Sequence, residues 1–377
     1  MYPDSVSCDF SYYLLPTTYY LLPTTYFMPS LFIPVGIVIA AGLVTLSSVS
    51  AHFFWLQLIW VAVGAGLVVL FYFVDWRVIL NYRWVIGGLY ALTVILLVFV
   101  YLHGPTIRNI RSWVVLGPFN FQPVELAKVA LILLYASYFS RRHLSIARWR
   151  NILMSLLLFV IPAVLTVLEP ELGSALVLFG IWFGFLLLSG LPPRRVFVAL
   201  IIFVVIGFLV WSFVLKDFHR ARIVGFLYPE SNSLGVNYSA IQSKIAIGSA
   251  GFWGKGYAQG TQTQLGFLTE PQSDFVLAAF IEEWGSFGGF IVVLAFLFLL
   301  YGILKIGAGA DRNFEKFICL GAAVVFGMQF FLNAGSALGL IPVIGITFPF
   351  LSYGGSSLFA SFLLLAVVNA IGKKETV

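Results

Sequence analysis

The residues with the most chemistry to offer are three carboxylates in one apolar run. In Thr269-Glu-Pro-Gln-Ser-Asp-Phe-Val-Leu-Ala-Ala-Phe-Ile-Glu-Glu-Trp-Gly285, a polar, proline-marked approach becomes an apolar helix carrying Asp274, Glu282 and Glu283. A carboxylate at mid-membrane costs about 2.5–3.5 kcal/mol on insertion scales, so its default reading is a functional group facing protein or water. Asp274 falls at the expected N-cap, where an aspartate also satisfies orphan N–H groups and complements the helix dipole. Cap and proton acceptor are therefore both open readings. In a straight helix Glu282 lies roughly 12 Å deeper and about 80° round, with Glu283 on nearly the opposite face. Only one of the two can share the Asp274 cavity.

Other charged pairs recur near helix ends. Glu125 and Lys128 follow Pro123 at i, i+3 and share a face in a first turn, either as a self-neutralising pair or as a site. Arg108 and Arg111, beside Trp113, suit snorkelling at an aromatic belt or bidentate binding of a phosphate group, and Arg220, Arg222 and Lys244 are candidates for the same anion. Glu169 and Glu171 flank Pro170 in a tight turn, where Glu171 either starts a helix or, with Asp274, holds a divalent cation, Mg²⁺ or Mn²⁺. Ser352 and Ser356 lie among glycines before the last helix, an end suited to an anion or to close packing. The two cysteines and four histidines show no metal-ligand spacing. With no nucleotide-binding loop, ATP is not expected as the energy source.

The elements that position these residues are membrane helices. A chain of 377 residues that is 61% hydrophobic and 10% charged, with a mean hydropathy of +1.01, cannot be a water-soluble domain. The reading is an all-α integral membrane protein with about ten transmembrane helices. Apolar runs place spans near 31–49, 53–74, 84–102, 124–139, 152–168, 173–190, 196–215, 275–304, 317–338 and 350–371. Residues 1–30 hold a duplicated Tyr-Tyr-Leu-Leu-Pro-Thr-Thr heptad and read as an irregular segment, such as a cloning remnant, ahead of a single membrane domain, 31–377. With the termini cytoplasmic, 13 of the 21 Lys and Arg fall inside, and the other eight gather in two outer segments, His103 to Lys128 and the long loop 216–274 between helices 7 and 8. In that loop Ile245 to Gly256 is half apolar and glycine-rich, so it is expected to lie on or dip into the membrane. The cations form no basic stripe, so no nucleic acid is expected as a partner. An outer face with one lone aspartate, several guanidiniums and a polar helix end suits a lipid-linked phosphate or pyrophosphate.

Several ordered motifs resemble the SEDS family of cell-wall polymerases. They are Leu116-Gly-Pro-Phe-Asn-Phe-Gln-Pro-Val-Glu-Leu-Ala-Lys128, Glu169-Pro-Glu-Leu-Gly173, Gln242-Ser-Lys-Ile-Ala-Ile-Gly-Ser-Ala-Gly251, Gly254-Lys-Gly-Tyr-Ala-Gln-Gly-Thr-Gln-Thr-Gln-Leu265, Asp274-Phe with Glu282-Glu283, and Pro349-Phe-Leu-Ser-Tyr-Gly-Gly-Ser-Ser357. The Gly-Thr-Gln-Thr-Gln-Leu stretch is more similar to the elongation polymerases than to the division polymerases. The resemblance implies a ten-helix glycosyltransferase of the bacterial cytoplasmic membrane, polymerising lipid II at the outer face beside a class B penicillin-binding protein, its essential aspartate at Asp274. The same groove would serve the alternative, a lipid II flippase or lipid-linked oligosaccharide transporter. The sequence departs from the family pattern at Gln272-Ser273, where His-Thr is usual, at Val124 in place of Ser, and at Glu169-Pro-Glu171 in place of Gln-Pro-Asp.

Overall fold

The computed structural model describes residues 27–74, 80, 82–106, 111–116, 119–141, 149–188, 192–213, 215, 217–228, 235 and 237–373. Three helices come first: α1 Phe27–Val49, α2 Ala51–Phe73 and α3 Arg83–His103. A two-stranded antiparallel hairpin follows, β1 Val114–Leu116 and β2 Phe119–Phe121, with Val115 opposite Asn120. Four more long helices are α4 Pro123–Ser140, α5 Trp149–Leu168, α6 Leu172–Leu188 and α7 Pro193–Phe213. Short helices α8 Asp217–Leu227, α9 Tyr238–Ser249 and α10 Thr261–Gln264 precede α11 Val276–Gly309, α12 Asn313–Ala337 and α13 Gly355–Gly372. Eight helices are long and apolar enough to cross a membrane, and α6 and α7 bring the long helices to the expected ten among the described residues.

Burial follows composition. The least apolar spans, α4 and α13, with mean hydropathies of 1.3 and 1.8, are the most buried, while α2 and α3, at 2.2 and 2.5, are mostly exposed. Helices with serines, Asn369 or the Glu125–Lys128 pair need protein partners, which lipid cannot supply. The interior meets polar tips where it buries them: Tyr135 Oη donates to the Ser155 carbonyl at 2.7 Å and Trp182 Nε1 to Ser155 Oγ at 3.1 Å.

The long loop is a folded cap rather than an irregular connector. Its helix α9 packs on α11, and Ser243 Oγ donates to the carbonyl of Ala337 at 2.7 Å. The half-apolar piece, Ile245 to Gly256, divides between the end of α9 and the turns at 251–256. At Gly285, with φ 76 and ψ 176, α11 breaks sharply. A Cβ on Gly289 would meet Ile281 at 2.6 Å, although residues eight apart in a straight helix stand about 12 Å apart. Segment 251–256 satisfies the broken turn. Lys255 and Gly256 N–H groups donate to the carbonyls of Glu282 and Glu283 at 3.0 Å each, and Ser286 and Phe287 donate to those of Gly251 and Phe252 at 3.0 and 3.2 Å. Gly254, with φ +84, lies so close to the Glu283 carbonyl that no side chain fits.

The last helix also starts later than expected, at Gly355 rather than Phe350. Phe350 has φ 65, a left-handed residue in a turn where Ser352 N–H donates to the Phe348 carbonyl at 3.0 Å. The hairpin, the 169–171 turn, the cap and this turn gather at one end of the bundle, linked by Gln122 to Ser356 and to Glu171 and by Arg222 to Val343.

Candidate active site

The approach to α11 is held by its backbone. Three successive carbonyls are taken by other elements: Gln272 accepts from Tyr353 N–H at 2.8 Å, Ser273 from Ser352 Oγ at 2.6 Å, and Asp274 from Asn333 Nδ2 at 3.0 Å. The N-cap position falls on Phe275, with no side-chain cap bond, so the structure moves Asp274 off the expected cap. Its carboxylate instead approaches Gly345, where a Cβ would stand 3.5 Å from Oδ2. The departures Gln272 and Ser273 are tolerated because their carbonyls, present in any residue, do the anchoring.

Arg222 and Lys244 line one cleft with Asn237 and the 339–343 segment. Burial lowers the Arg222 pKa, and the charge of Asp274 opposes that shift, so the two side chains sense each other. Arg220 is turned elsewhere: its Nε and Nη2 donate to the Trp211 and Ser212 carbonyls at 3.1 and 3.0 Å, closing the end of α7. Arg111 is exposed and donates to Thr106 Oγ1 at 3.0 Å, and Arg108 lies outside the described residues. Of the expected phosphate-binding cations, the structure thus gathers Arg222 and Lys244.

A second, buried network lies around the 169–171 turn. Lys128 Nζ pairs with Glu125 Oε1 at 2.8 Å, both side chains nearly inaccessible, and both charges act on Glu171. Glu171 accepts from Gln122 Nε2 at 2.6 Å and from Ser174 Oγ. Burial raises its pKa, and the bonds from Ser174 and Gln122 and the Lys128 charge offset part of that. Glu169 is 1% exposed, and neither of its carboxyl oxygens has a hydrogen-bond partner among the described residues. Burial first, and then the Glu171 charge, push its pKa up to about 8. Among the described residues no three His, Cys, Asp or Glu side chains are grouped to hold a metal ion.

Four expectations change. Ser352 Oγ, which also accepts from Phe348 N–H at 2.9 Å, and Ser356 Oγ, which accepts from Gln122 N–H at 2.9 Å and donates to the Asn120 carbonyl at 3.1 Å, are engaged in stitching loops together rather than open to an anion. Glu282 and Glu283 lie above the break and both turn to the cap. Glu282 receives Lys255 Nζ at 2.7 Å, Gln262 N–H at 2.8 Å, and Thr263 N–H and Oγ1 at 3.0 and 2.8 Å. Glu283 binds Ser48 Oγ at the end of α1, and Gln264 at 3.3 Å. Ser48 is the penultimate residue of α1, so Glu283 stands at the rim of the bundle and not deep within it. Asn333, which sequence reasoning missed, bridges Asp274 to Ile346; a lone Asn in the last turns of an apolar helix was its only signal.

A family model, FTSW_RODA_SPOVE, described as a cell cycle protein, matches residues 20–377. Peptidoglycan glycosyltransferase MrdB of Escherichia coli is 36% identical over 283 residues, covering 75% of this chain and 76% of that protein. A chain of a solved structure described as "Structural coordination of polymerization and crosslinking by a peptidoglycan synthase complex" superposes with a TM-score of 0.78 at 32% identity, covering 91% of this chain and 96% of the other. Rod shape determining protein RodA of Thermus thermophilus superposes with a TM-score of 0.70 at 28% identity, covering 93% and 97%.

Proposed function

This chain belongs to the FTSW_RODA_SPOVE family, and from that membership we propose that it polymerises lipid II into glycan strands with Asp274 as general base. It is a multi-pass membrane glycosyltransferase of cell-wall synthesis. The observation that carries the role of Asp274 is its backbone anchoring by Tyr353, Ser352 and Asn333 next to a cleft that holds Arg222 and Lys244. Anchored backbone on both sides fixes where a proton acceptor stands, which positioning catalysis requires.

In the proposed reaction the acceptor sugar's C4 hydroxyl gives its proton to the Asp274 carboxylate as its oxygen bonds to the donor's anomeric carbon. The bond from that carbon to the lipid diphosphate breaks in the same displacement, and its electron pair leaves on the diphosphate. Arg222 and Lys244 neutralise the departing charge. One displacement inverts the anomeric centre, so an α-linked donor gives a β-linked chain. A divalent cation, Mg²⁺ or Mn²⁺, would be held by Asp274 or Glu171 and would supply charge neutralisation to the departing diphosphate.

The site end faces the outside in this proposal. Support comes from Arg141, Arg194, Arg312 and Lys373, which lie in or beside the turns at the other end, as cytoplasmic loops require. A class B penicillin-binding protein is the proposed partner, supported by the likeness to a synthase complex that coordinates polymerization with crosslinking. A role in elongation is supported by the Gly260-Thr-Gln-Thr-Gln-Leu265 stretch and by the likeness to a rod-shape protein. The test is lipid II polymerisation by purified wild type and Asp274→Asn, with and without partner and divalent cation. Wild-type protein that moves lipid II across vesicles yet makes no polymer would overturn the proposal in favour of transport.

A further inference from the structure

At the end of the bundle opposite Asp274, two helix N-termini meet and carry only positive charge. Helix α5 opens with Trp149 and Arg150, and α7 opens with Pro193, Arg194 and Arg195; neither has an acidic residue in its first turn. A helix N-terminus already presents unpaired N–H groups and about half a positive charge, so arginines there add like to like. The contrast is α12 at the same end, where Arg312 is followed by Glu315 in the first turn. The two termini touch: the Arg195 guanidinium lies over the Trp149 ring, 5.7 Å from its centroid. That stacking orients the guanidinium, yet its Nη1 is buried and has no hydrogen-bond partner among the described residues. In the sequence, the connections 141–150 and 189–195 hold six arginines and no carboxylate, so no acid of these connections offsets the charge.

We propose that Arg195, with Arg194, Arg150 and the Trp149 ring, forms a binding site for the headgroup of an anionic phospholipid. A phosphodiester supplies what is missing here: negative charge, and acceptor oxygens for the Arg195 fork and the arginines beside it. Trp149 is 49% exposed, and an indole at the level of the headgroups is the usual companion of such a site. The lipid source is favoured over free phosphate because exposed apolar side chains continue from the charged end, Leu153 and Leu157 on α5 and Val198 and Ile201 on α7, where acyl chains would lie. The site lies away from Asp274 and does not depend on the glycosyltransferase reading.

The test uses the full-length protein in neutral detergent, titrated separately with phosphatidylglycerol, phosphatidylcholine and inorganic phosphate. Native mass spectrometry reads the bound lipid on folded protein, and thermal unfolding reads its effect. Wild type is expected to retain phosphatidylglycerol in preference to phosphatidylcholine and to gain thermal stability from it. Arg195→Gln is expected to bind it roughly tenfold more weakly, as the loss of a charge-assisted pair predicts. Arg195→Lys, which keeps charge but loses the planar fork and stack, should fall between them. Arg312→Gln should bind as wild type does. Equal retention by wild type and Arg195→Gln, or by Arg312→Gln at the Arg195→Gln level, overturns the site. Stabilisation by inorganic phosphate equal to that by phosphatidylglycerol overturns the lipid as its occupant. Because lipid is counted only on folded molecules, a loss of folding in one variant leaves the others to decide.

Discussion

Asn333 Nδ2 donates to two carbonyls at once, that of Asp274 at 3.0 Å and that of Ile346 at 2.6 Å. One amide on α12 therefore fixes Asp274, two residues before α11, against the segment that carries Gly345, whose backbone faces the Asp274 carboxylate. The position of the proposed base is set from a helix 59 residues away in sequence. Asn333→Asp would place an acceptor where the structure needs a donor, so it should slow polymerisation while Asn333→Gln partly retains it; equal rates for the three proteins would refute this positioning role.

Asp274→Asn should lose polymerisation by about 10²-fold or more, the usual contribution of a general base. The residue is not the helix cap here, so the thermal midpoint should stay close to that of wild type. Rates and unfolding curves on the same preparations decide it. Retained polymer length in the variant would remove Asp274 as the base.

The two arginines of α8 should separate. Arg222→Gln and Lys244→Gln should raise KM or lower kcat by roughly tenfold or more, since each removes a charge from the proposed diphosphate cleft. Arg220→Gln should alter stability instead, because it frees the Trp211 and Ser212 carbonyls at the end of α7. Kinetics that fall equally for Arg220→Gln and Arg222→Gln would contradict this division.

Glu282→Ala should destabilise the protein by about 3 kcal/mol or more, because it strands Lys255 and several loop donors around a buried position. Limited proteolysis should then cut within 255–264 sooner than in wild type. Unchanged unfolding and proteolysis would show that the cap is held by other contacts.

Glu169 sets a pH dependence. Its pKa is raised to about 8 in the fold against 4.5 in the unfolded chain, so its contribution is fully present below pH 4.5 and is lost as pH rises towards 8. Thermal stability should therefore decline across that window, and Glu169→Gln should flatten the decline and unfold at a higher temperature than wild type at pH 8. A parallel decline in both proteins would assign the effect to other groups.

The ten long helices, their ends within a few residues, and the uneven placement of basic residues were legible in the sequence, because hydropathy and loop charge are local properties that a bilayer reads directly. Asp274, Glu125 with Lys128, Arg222 and Lys244 were also legible, as charges that need a reason to sit near apolar helices. Partnership was not. Helix periodicity put Glu282 about 12 Å deeper than Asp274, but α11 breaks at Gly285, where segment 251–256 takes the freed carbonyls and amides. The type and setting of Ser356 suit an anion or close packing, but Gln122, 234 residues away, is the donor that reaches its oxygen. A side chain's type and its spacing to neighbours fix what it can do. Which donor or acceptor reaches it first is decided by elements far off in the chain, and only the packed bundle brings those together.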